Sequence, residues 1–480
     1  MMLELEFTTA LKIAATLISL VSFCFIPLVL IRRKEAASMV AWTMTLIFLP
    51  AVGVLLFWFF GRDRVRLPVR GKRALNSELR QRVNALPRPP TDDSLETLLA
   101  HQPAEQRDVM RLACRVGCPS IAAGNEVRVL LGAEATYAAQ LEAIDGARDH
   151  VHLESYIFQP DAVGLRFRDA LLRALGRGVR VRVLLDGFGS RFAKASGFFK
   201  PLVKAGGRVA KFFPLDPIRR AWSTNLRNHR KLLIVDGEVG FVGGINIGET
   251  FLPWSDVHLR IDGPAVAHMQ RLFCEDWYFA TRYDPVSSAF FPEIAERGRA
   301  VVQVVGSGPD ASIEAIHRLY FAAIASARER VWITTPYFVP DRAILVALQT
   351  AAQRGVDVRL VLPRESNHRV TFHAGRSFYE ELLAAGVHIH EFLPGMLHAK
   401  AMVVDGRFAT VGSANFDVRS FRLNFELVAV LYDAPSVARL EAIFQDDLAQ
   451  TEEVDHERWQ ERGWGLRVLE GVGRLFAPML

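Results

Sequence analysis

Two stretches, NHRKLLIVDGEVGFVGGIN from Asn228 to Asn246 and LHAKAMVVDGRFATVGSAN from Leu397 to Asn415, carry the same polar residues at the same spacing. Both obey H-x-K-x4-D-x6-G-[G/S]-x-N, which selects His229, Lys231, Asp236, Gly243, Gly244 and Asn246 in one and His398, Lys400, Asp405, Gly412, Ser413 and Asn415 in the other. Positions i and i+2 of a strand project from one face, so each His stands beside its Lys. Asp-Gly at 236–237 and at 405–406 signals a hairpin, with a second strand returning to the small residues. Those small residues let the backbone approach a ligand, and the Asn donates to an oxygen. Each stretch therefore supplies half a site.

The surroundings are duplicated too. RDHVHLESYIF (148–158) answers RERVWITTPYF (328–338), GVRVRVLLD (178–186) answers GVDVRLVLP (355–363), and GGRVAKFFP (206–214) answers AGVHIHEFLP (385–394). Short β-rich runs alternate with longer amphipathic segments in the same order twice, the pattern of an α/β fold. We read units at 121–281 and 300–480, the second ending in a helix, with a seam between Thr281 and Arg299.

Two imidazoles, two ammonium groups and two amides converging on one point suit phosphoryl transfer. One imidazole attacks phosphorus; the other protonates the departing oxygen and then deprotonates the incoming one. Lysines, Asn246, Asn415 and Ser413 would hold the non-bridging oxygens as charge develops. This inventory requires neither metal nor cofactor. Asp236 and Asp405 join the catalytic candidates, although a place before Gly equally fits a turn residue or a structural ion pair.

The bulk of the chain locates the reaction. Half of the 480 residues are apolar, and the mean hydropathy is +0.15. The surplus lies in 1–73, where Ile13–Ile31 and Ala36–Phe60 are uncharged runs of 19 and 25 residues. Each is long enough to cross a bilayer as a helix, so 1–73 reads as a membrane hairpin with a basic flank; a pair of buried or membrane-dipping helices is the alternative. A helical connector with a turn-rich patch at LPRPPTDD (86–93) fills 74–120. Residues 1–73 hold ten Lys/Arg against four Asp/Glu, the whole net charge of +6, and leave the rest balanced. A nucleic-acid enzyme carries its positive charge across the binding domain; here it flanks the hairpin, and its position after the second span places the large C-terminal part in the cytoplasm. Four cysteines form no disulfide framework. The end of the chain, GLRVLEGVGRLFAPML (465–480), has the apolar spacing of a helix that lies on a membrane or docks on the core.

With these motifs, and with GGINIGE (243–249), WSDVHLRIDGPAV (254–266), TPYFVPD (335–341), GSANFDVRSFRLNFE (412–426) and AWTMTLIFLPAVG (41–53), the chain resembles the phospholipase D superfamily. Within it the chain resembles the bacterial cardiolipin synthases that carry an N-terminal membrane hairpin. The resemblance implies two α/β/α sandwich units packed as a pseudo-twofold pair, preceded by two transmembrane or membrane-embedded helices, with the site at the seam. It implies His229 as nucleophile and His398 as general acid and base, although the symmetry of the motifs allows the reverse. It implies a carboxylate behind each imidazole, and we assign Asp256 to His229 and Glu426 to His398. The implied reaction joins two phosphatidylglycerol molecules into cardiolipin and glycerol through a phosphatidyl-histidine, at a bacterial inner membrane, with phospholipid and membrane but not nucleic acid as partners. One chain holds both half-sites, so the chemistry does not require an oligomer. A lipid hydrolase or another headgroup exchanger uses the same residues; a superfamily nuclease or a non-catalytic scaffold fits the sequence less well.

Overall fold

The computed structural model describes residues 2–31, 36–57, 77–85, 95–100, 104–116, 121–213, 226–283, 285–311 and 313–480. The loop between the two apolar runs, the basic flank after the second, and the LPRPPTDD patch lie outside the described residues. The described residues form two compact units, one within 1–67 and one from 77 onward.

The first unit is three helices, α1 (Met2–Ile31), α2 (Ala36–Phe48) and α3 (Pro50–Leu56). The second apolar run is therefore not one continuous helix. Pro50 occupies the first turn of α3, where its missing N–H costs nothing, and Leu49 takes an extended φ of −131° that ends α2. Val29, Leu46 and Phe57 are buried among these helices, Phe25 and Trp42 meet the Phe57 ring edge-on, and the Ser22 hydroxyl donates to the Leu46 carbonyl. The outer surface carries Leu17, Leu20, Val21, Phe23, Leu30 and Phe48, all exposed. Among the described residues no helix is long and apolar enough to cross a membrane.

The second unit is built on one continuous sheet. Its first half contributes β1 (Ile121–Leu131), β2 (His150–Ser155), β3 (Arg180–Asp186), β4 (Arg208–Phe212), β5 (Arg227–Asn228), β6 (Leu232–Val235), β7 (Val239–Gly243) and β8 (Val257–Asp262). Its second half contributes β9 (Ala300–Ser307), β10 (Arg330–Thr334), β12 (Asp357–Pro363), β13 (His388–Phe392), β14 (Ala401–Val404), β15 (Phe408–Gly412), β17 (Asn424–Leu431) and β18 (Thr451–Glu453), while β11 (Phe338–Val339) and β16 (Phe416–Asp417) pair in a separate two-stranded sheet. The order is β18-β13-β12-β10-β14-β15-β17-β9-β1-β8-β7-β6-β2-β3-β4. Apart from β18, this order reads the same from either end once each strand is matched to its repeat, with β1 and β9 antiparallel at the middle. β2, β3 and β4 are parallel, as are β10, β12 and β13, joined by helices that cover the sheet. Strands buried on both faces need continuous apolar runs, and VRVLL and VRLVL supply them.

The duplicated Asp residues explain part of this regularity. Asp236 accepts from the backbone N–H groups of Arg148, Asp149 and His150, and Asp405 from those of Arg328, Glu329 and Arg330. Each sits in the left-handed region, at φ 55° and 54°, where Asp is tolerated, and ties a hairpin turn to the start of the neighbouring strand. This corrects the catalytic assignment of both: their carboxylate oxygens are spent on the backbone, and neither lines the site.

The last helix, α10 (Trp464–Phe476, numbered after α4 Ala162–Gly176, α5 Val266–Thr281, α6 Arg342–Gln353, α7 Arg369–Arg376, α8 Val418–Arg422 and α9 Ala434–Leu448), docks on the core by one side. Glu470 and Gly473 are buried on the docked side, where Gly473 lies close against the backbone of α7. Trp464, Leu466, Val472 and Leu475 face outward.

Candidate active site

The histidines are brought together by reciprocal exchange between the halves. β5, just before His229, pairs with β17 of the second half, Arg227 opposite Asn424 and Asn228 opposite Phe425, and the His229 N–H donates to the Phe425 carbonyl at 2.9 Å. In the other direction Ser255 bridges to Leu397, and the His398 N–H donates to the Ser255 carbonyl at 2.6 Å. The residue that follows each accepting carbonyl is a carboxylate, Glu426 after Phe425 and Asp256 after Ser255. Each carboxylate is thereby carried to the imidazole of the opposite half.

The pairing of carboxylates is accordingly the reverse of the assignment by motif. His229 Nδ1 lies 3.0 Å from both Glu426 Oε1 and Oε2, and His398 Nδ1 lies 2.6 Å from Asp256 Oδ2. Asp256 and Glu426 both face a histidine, as expected, but across the seam, because the backbone bonds that fix the histidines are themselves made across it.

Each lysine folds back on its histidine. Lys231 Nζ donates to the His229 carbonyl at 2.6 Å, and Lys400 Nζ to the His398 carbonyl at 2.5 Å. Both lysines are almost fully buried, at 3% and 1% exposure, which decides their electrostatics. Burial pushes Lys231 down to about 7 and Lys400 down to about 8. Burial likewise drives His229 down to about 4, against the pull of Glu426, and takes His398 well below its ordinary value, with Lys400 and Lys231 adding to the effect. Burial raises Asp256 to about 6. Glu426 goes the other way: burial would raise it, but His229, Lys231 and the Ser413 hydroxyl together hold it below the usual carboxylate range. Burial favours the neutral form of both rings, and in the tautomer protonated on Nδ1 each would donate to its carboxylate and keep the Nε2 lone pair for chemistry.

Both rings line one cavity of about 350 Å³, together with Asn246 and Asn415. Asn246 Oδ1 accepts from the Ile157 N–H; Asn415 Oδ1, an acceptor, is buried without a hydrogen-bond partner among the described residues. Ser413 does not line the cavity and is removed from the phosphate-binding set. Its hydroxyl donates to Glu426 Oε2 and receives the Leu427 N–H, so it positions a carboxylate. At the matching place in the first half, a Cβ on Gly244 would come within 2.4 Å of Asp256 Oδ1; the glycine is there to let that carboxylate in.

Several contributors escaped the motif. Tyr156 meets the His229 ring edge-on at 4.9 Å, and Trp254 lies 4.9 Å from the His398 ring. Arg230, between His229 and Lys231, is buried, pairs with Asp276, and donates to the Glu426 and Ser307 carbonyls at 3.1 Å each, locking the first half to the second. Arg227 and Arg419 also line the cavity. Arg227 is two residues before His229, a spacing the sequence did contain.

Comparison with known proteins fits this geometry. The model of the cardiolipin synthase, phospholipase D-like domain matches residues 141–277 and 320–448. The chain belongs to that family. A phospholipase D-nuclease N-terminal model matches 16–62. The chain is 38% identical over 472 residues to a cardiolipin synthase of Geobacillus kaustophilus, covering 96% of this chain and 92% of that one. It is 37% identical over 462 residues to cardiolipin synthase 2 of Bacillus anthracis, covering 94% and 88%. Among solved structures, phosphatidylserine synthase of Haemophilus influenzae superposes with a TM-score of 0.60 at 13% identity, over 78% of this chain and 100% of that one. That likeness carries the fold of this family member and nothing more.

Proposed function

We propose that the chain is a membrane phosphatidyltransferase that converts two phosphatidylglycerol molecules into cardiolipin and glycerol. The observation that carries this reading is the pair of imidazole–carboxylate couples, crossed between the halves and opening on one cavity; membership of the cardiolipin synthase family supplies the substrate class.

His229 Nε2 attacks the phosphorus of the first lipid. Glu426, ionised and held by three donors, keeps the His229 proton on Nδ1 and the ring in register. The phosphodiester brings a negative charge into the cavity, which raises the proton affinity of the other ring. His398 takes up a proton from solvent and passes it to the departing glycerol oxygen as the bond from phosphorus to that oxygen breaks. Lys231, Lys400, Asn246 and Asn415 hold the non-bridging oxygens as the pentacoordinate state forms. A hydroxyl of the second phosphatidylglycerol then gives its proton to His398 and takes the phosphatidyl group from His229.

Transfer to a lipid alcohol needs a dry site beside a bilayer. The apolar outer surface of α1 and α2 and the outward face of α10 support membrane contact, with the N-terminal helices embedded as a hairpin in the inner membrane. The basic flank within 1–73 then keeps the two units, 121–281 and 300–480, on the cytoplasmic side, with 74–120 as connector.

The test is incubation of purified protein with phosphatidylglycerol liposomes, with products followed by mass, beside His229→Ala and His398→Ala. Cardiolipin and glycerol should form together and fall by roughly 10⁴-fold or more in both variants. Phosphatidic acid without cardiolipin would make the protein a hydrolase, and salt-sensitive DNA cleavage would make it a nuclease.

A further inference from the structure

The lysines are turned back onto the carbonyls of their own histidines, and the cations that border the cavity itself are arginines. Arg227 and Arg419, one from each half, line it. The Arg227 guanidinium lies 4.3 Å over the Phe188 ring and donates to the Leu226 carbonyl at 2.7 Å. It also reaches the Tyr156 hydroxyl. The Tyr156 ring in turn packs on His229 and lies 5.3 Å from Lys231 Nζ, so a single tyrosine separates Arg227 from the reacting nitrogen. Arg419 stands on α8, four residues past Asn415. Burial, and then the charge of Arg227, lower its proton affinity, and both guanidiniums belong to residues that line the same cavity.

Two carboxylates stand near them, Asp186 and Asp417. Asp186 accepts from the backbone N–H groups of Phe188, Gly189 and Asn228, and Asp417 caps α8 through the Ser420 N–H. Both dilute the positive charge; the two Asp186 oxygens accept from backbone donors and Asp417 Oδ1 from the Ser420 N–H. Two guanidinium forks against a cavity favour an anion with paired oxygens.

The proposed reaction contains such an anion. The acceptor phosphatidylglycerol carries its own phosphodiester, one glycerol bridge from the attacking hydroxyl; water carries none. We propose that Arg227 and Arg419 form a second anion subsite, which binds the phosphodiester of the acceptor lipid and selects a lipid alcohol over other acceptors. The inference rests on the phosphatidyltransfer reading. In the step it governs, the acceptor oxygen bonds to phosphorus while the bond from phosphorus to His229 Nε2 breaks. The electron pair returns to the ring, and the hydroxyl proton passes to His398 Nε2.

The full chain is assayed in phosphatidylglycerol liposomes with butanol as a competing neutral acceptor, beside Arg227→Gln, Arg419→Gln and the double variant. The ratio of cardiolipin to phosphatidylbutanol should fall by roughly tenfold or more in each single variant, with a raised KM for phosphatidylglycerol as acceptor. Arg227→Lys and Arg419→Lys should recover part of the ratio, because they keep the charge and lose only the fork. An unchanged ratio in the double variant overturns the subsite, as does a parallel loss of both products shared by the Lys variants. Phosphatidylbutanol without cardiolipin from the unaltered chain also overturns it, while transfer itself stands. Neither product from the unaltered chain overturns the transfer reading beneath it.

Discussion

His229 meets Glu426 through two carboxylate oxygens at 3.0 Å, whereas His398 meets Asp256 through one at 2.6 Å. The longer Glu is steadied by the Ser413 hydroxyl and the Asn424 amide; the shorter Asp is seated against Gly244, with its other oxygen on the Val257 N–H. Between His and Lys the first copy has Arg230, bound across the seam, and the second has the buried Ala399. The two motifs have kept the geometry of the imidazoles while exchanging the parts that produce it. A carboxylate one methylene longer is matched by a hydroxyl to hold it, and a shorter one by the absence of a side chain.

The crossing is the most exposed part of this comparison. Glu426→Gln and Asp256→Asn should each lower kcat by roughly 10² to 10⁴-fold, because the amide no longer fixes the tautomer or supports an imidazolium. Histidine NMR separates the partners: Glu426→Gln should move the titration of His229 and leave that of His398 in place. The opposite result would restore pairing within each half.

The match of small residue to carboxylate is the next target. Gly244→Ser should displace Asp256 and cost roughly 10²-fold, since a catalytic group moved by about an ångström loses that much. Ser413→Gly removes one charge-assisted hydrogen bond from Glu426 and should cost about tenfold. Equal losses in steady-state rate would mean that the two halves are supported in the same way.

The pH profile sharpens the same asymmetry with a smaller effect. Asp256, raised to about 6, is protonated as pH falls through that value, so kcat/KM for the free enzyme should drop on the acid side. Lys231 and Lys400, lowered to about 7 and about 8, lose their charge as pH rises through those values, so kcat/KM should also drop on the alkaline side. Glu426, held low, should contribute no acid limb near 6. An Asp256→Asn variant that retains that limb would contradict the assignment.

The smallest change in rate is expected from the residues that remain most alike. Asp236→Ala and Asp405→Ala each release backbone N–H groups from a hairpin turn. Each should cost about 1–3 kcal/mol of stability in denaturant unfolding, with kcat little altered. A loss of kcat as large as that of Glu426→Gln would return them to the chemistry.

Much of the site was legible because it is written locally and twice. The spacing of His229 with Lys231 and of His398 with Lys400 was legible, although each pair stands in the segment that leads into β6 or β14 rather than in the strand that alternation assumes; the Asp-Gly hairpins, the α/β order and the duplication follow from period and turn chemistry. Pro50 was legible as a feature that favours buried or membrane-dipping helices over one continuous span, and in the structure it opens α3. The partner of each imidazole, the removal of Ser413 from the phosphate site and the place of Arg419 were not legible. They depend on β5 crossing to β17 and on Ser255 bridging to Leu397, contacts between segments far apart in the chain.

The sequence by itself determined which atoms the reaction has to work with: two imidazoles, two ammonium groups, two amides and two carboxylates, written at the same spacing beside two hairpins. Only the tertiary structure decided who serves whom. Side-chain direction in a strand is a local property, whereas the distance from a carboxylate to an imidazole is set by which strands share backbone hydrogen bonds, and here those bonds run across the seam between the halves.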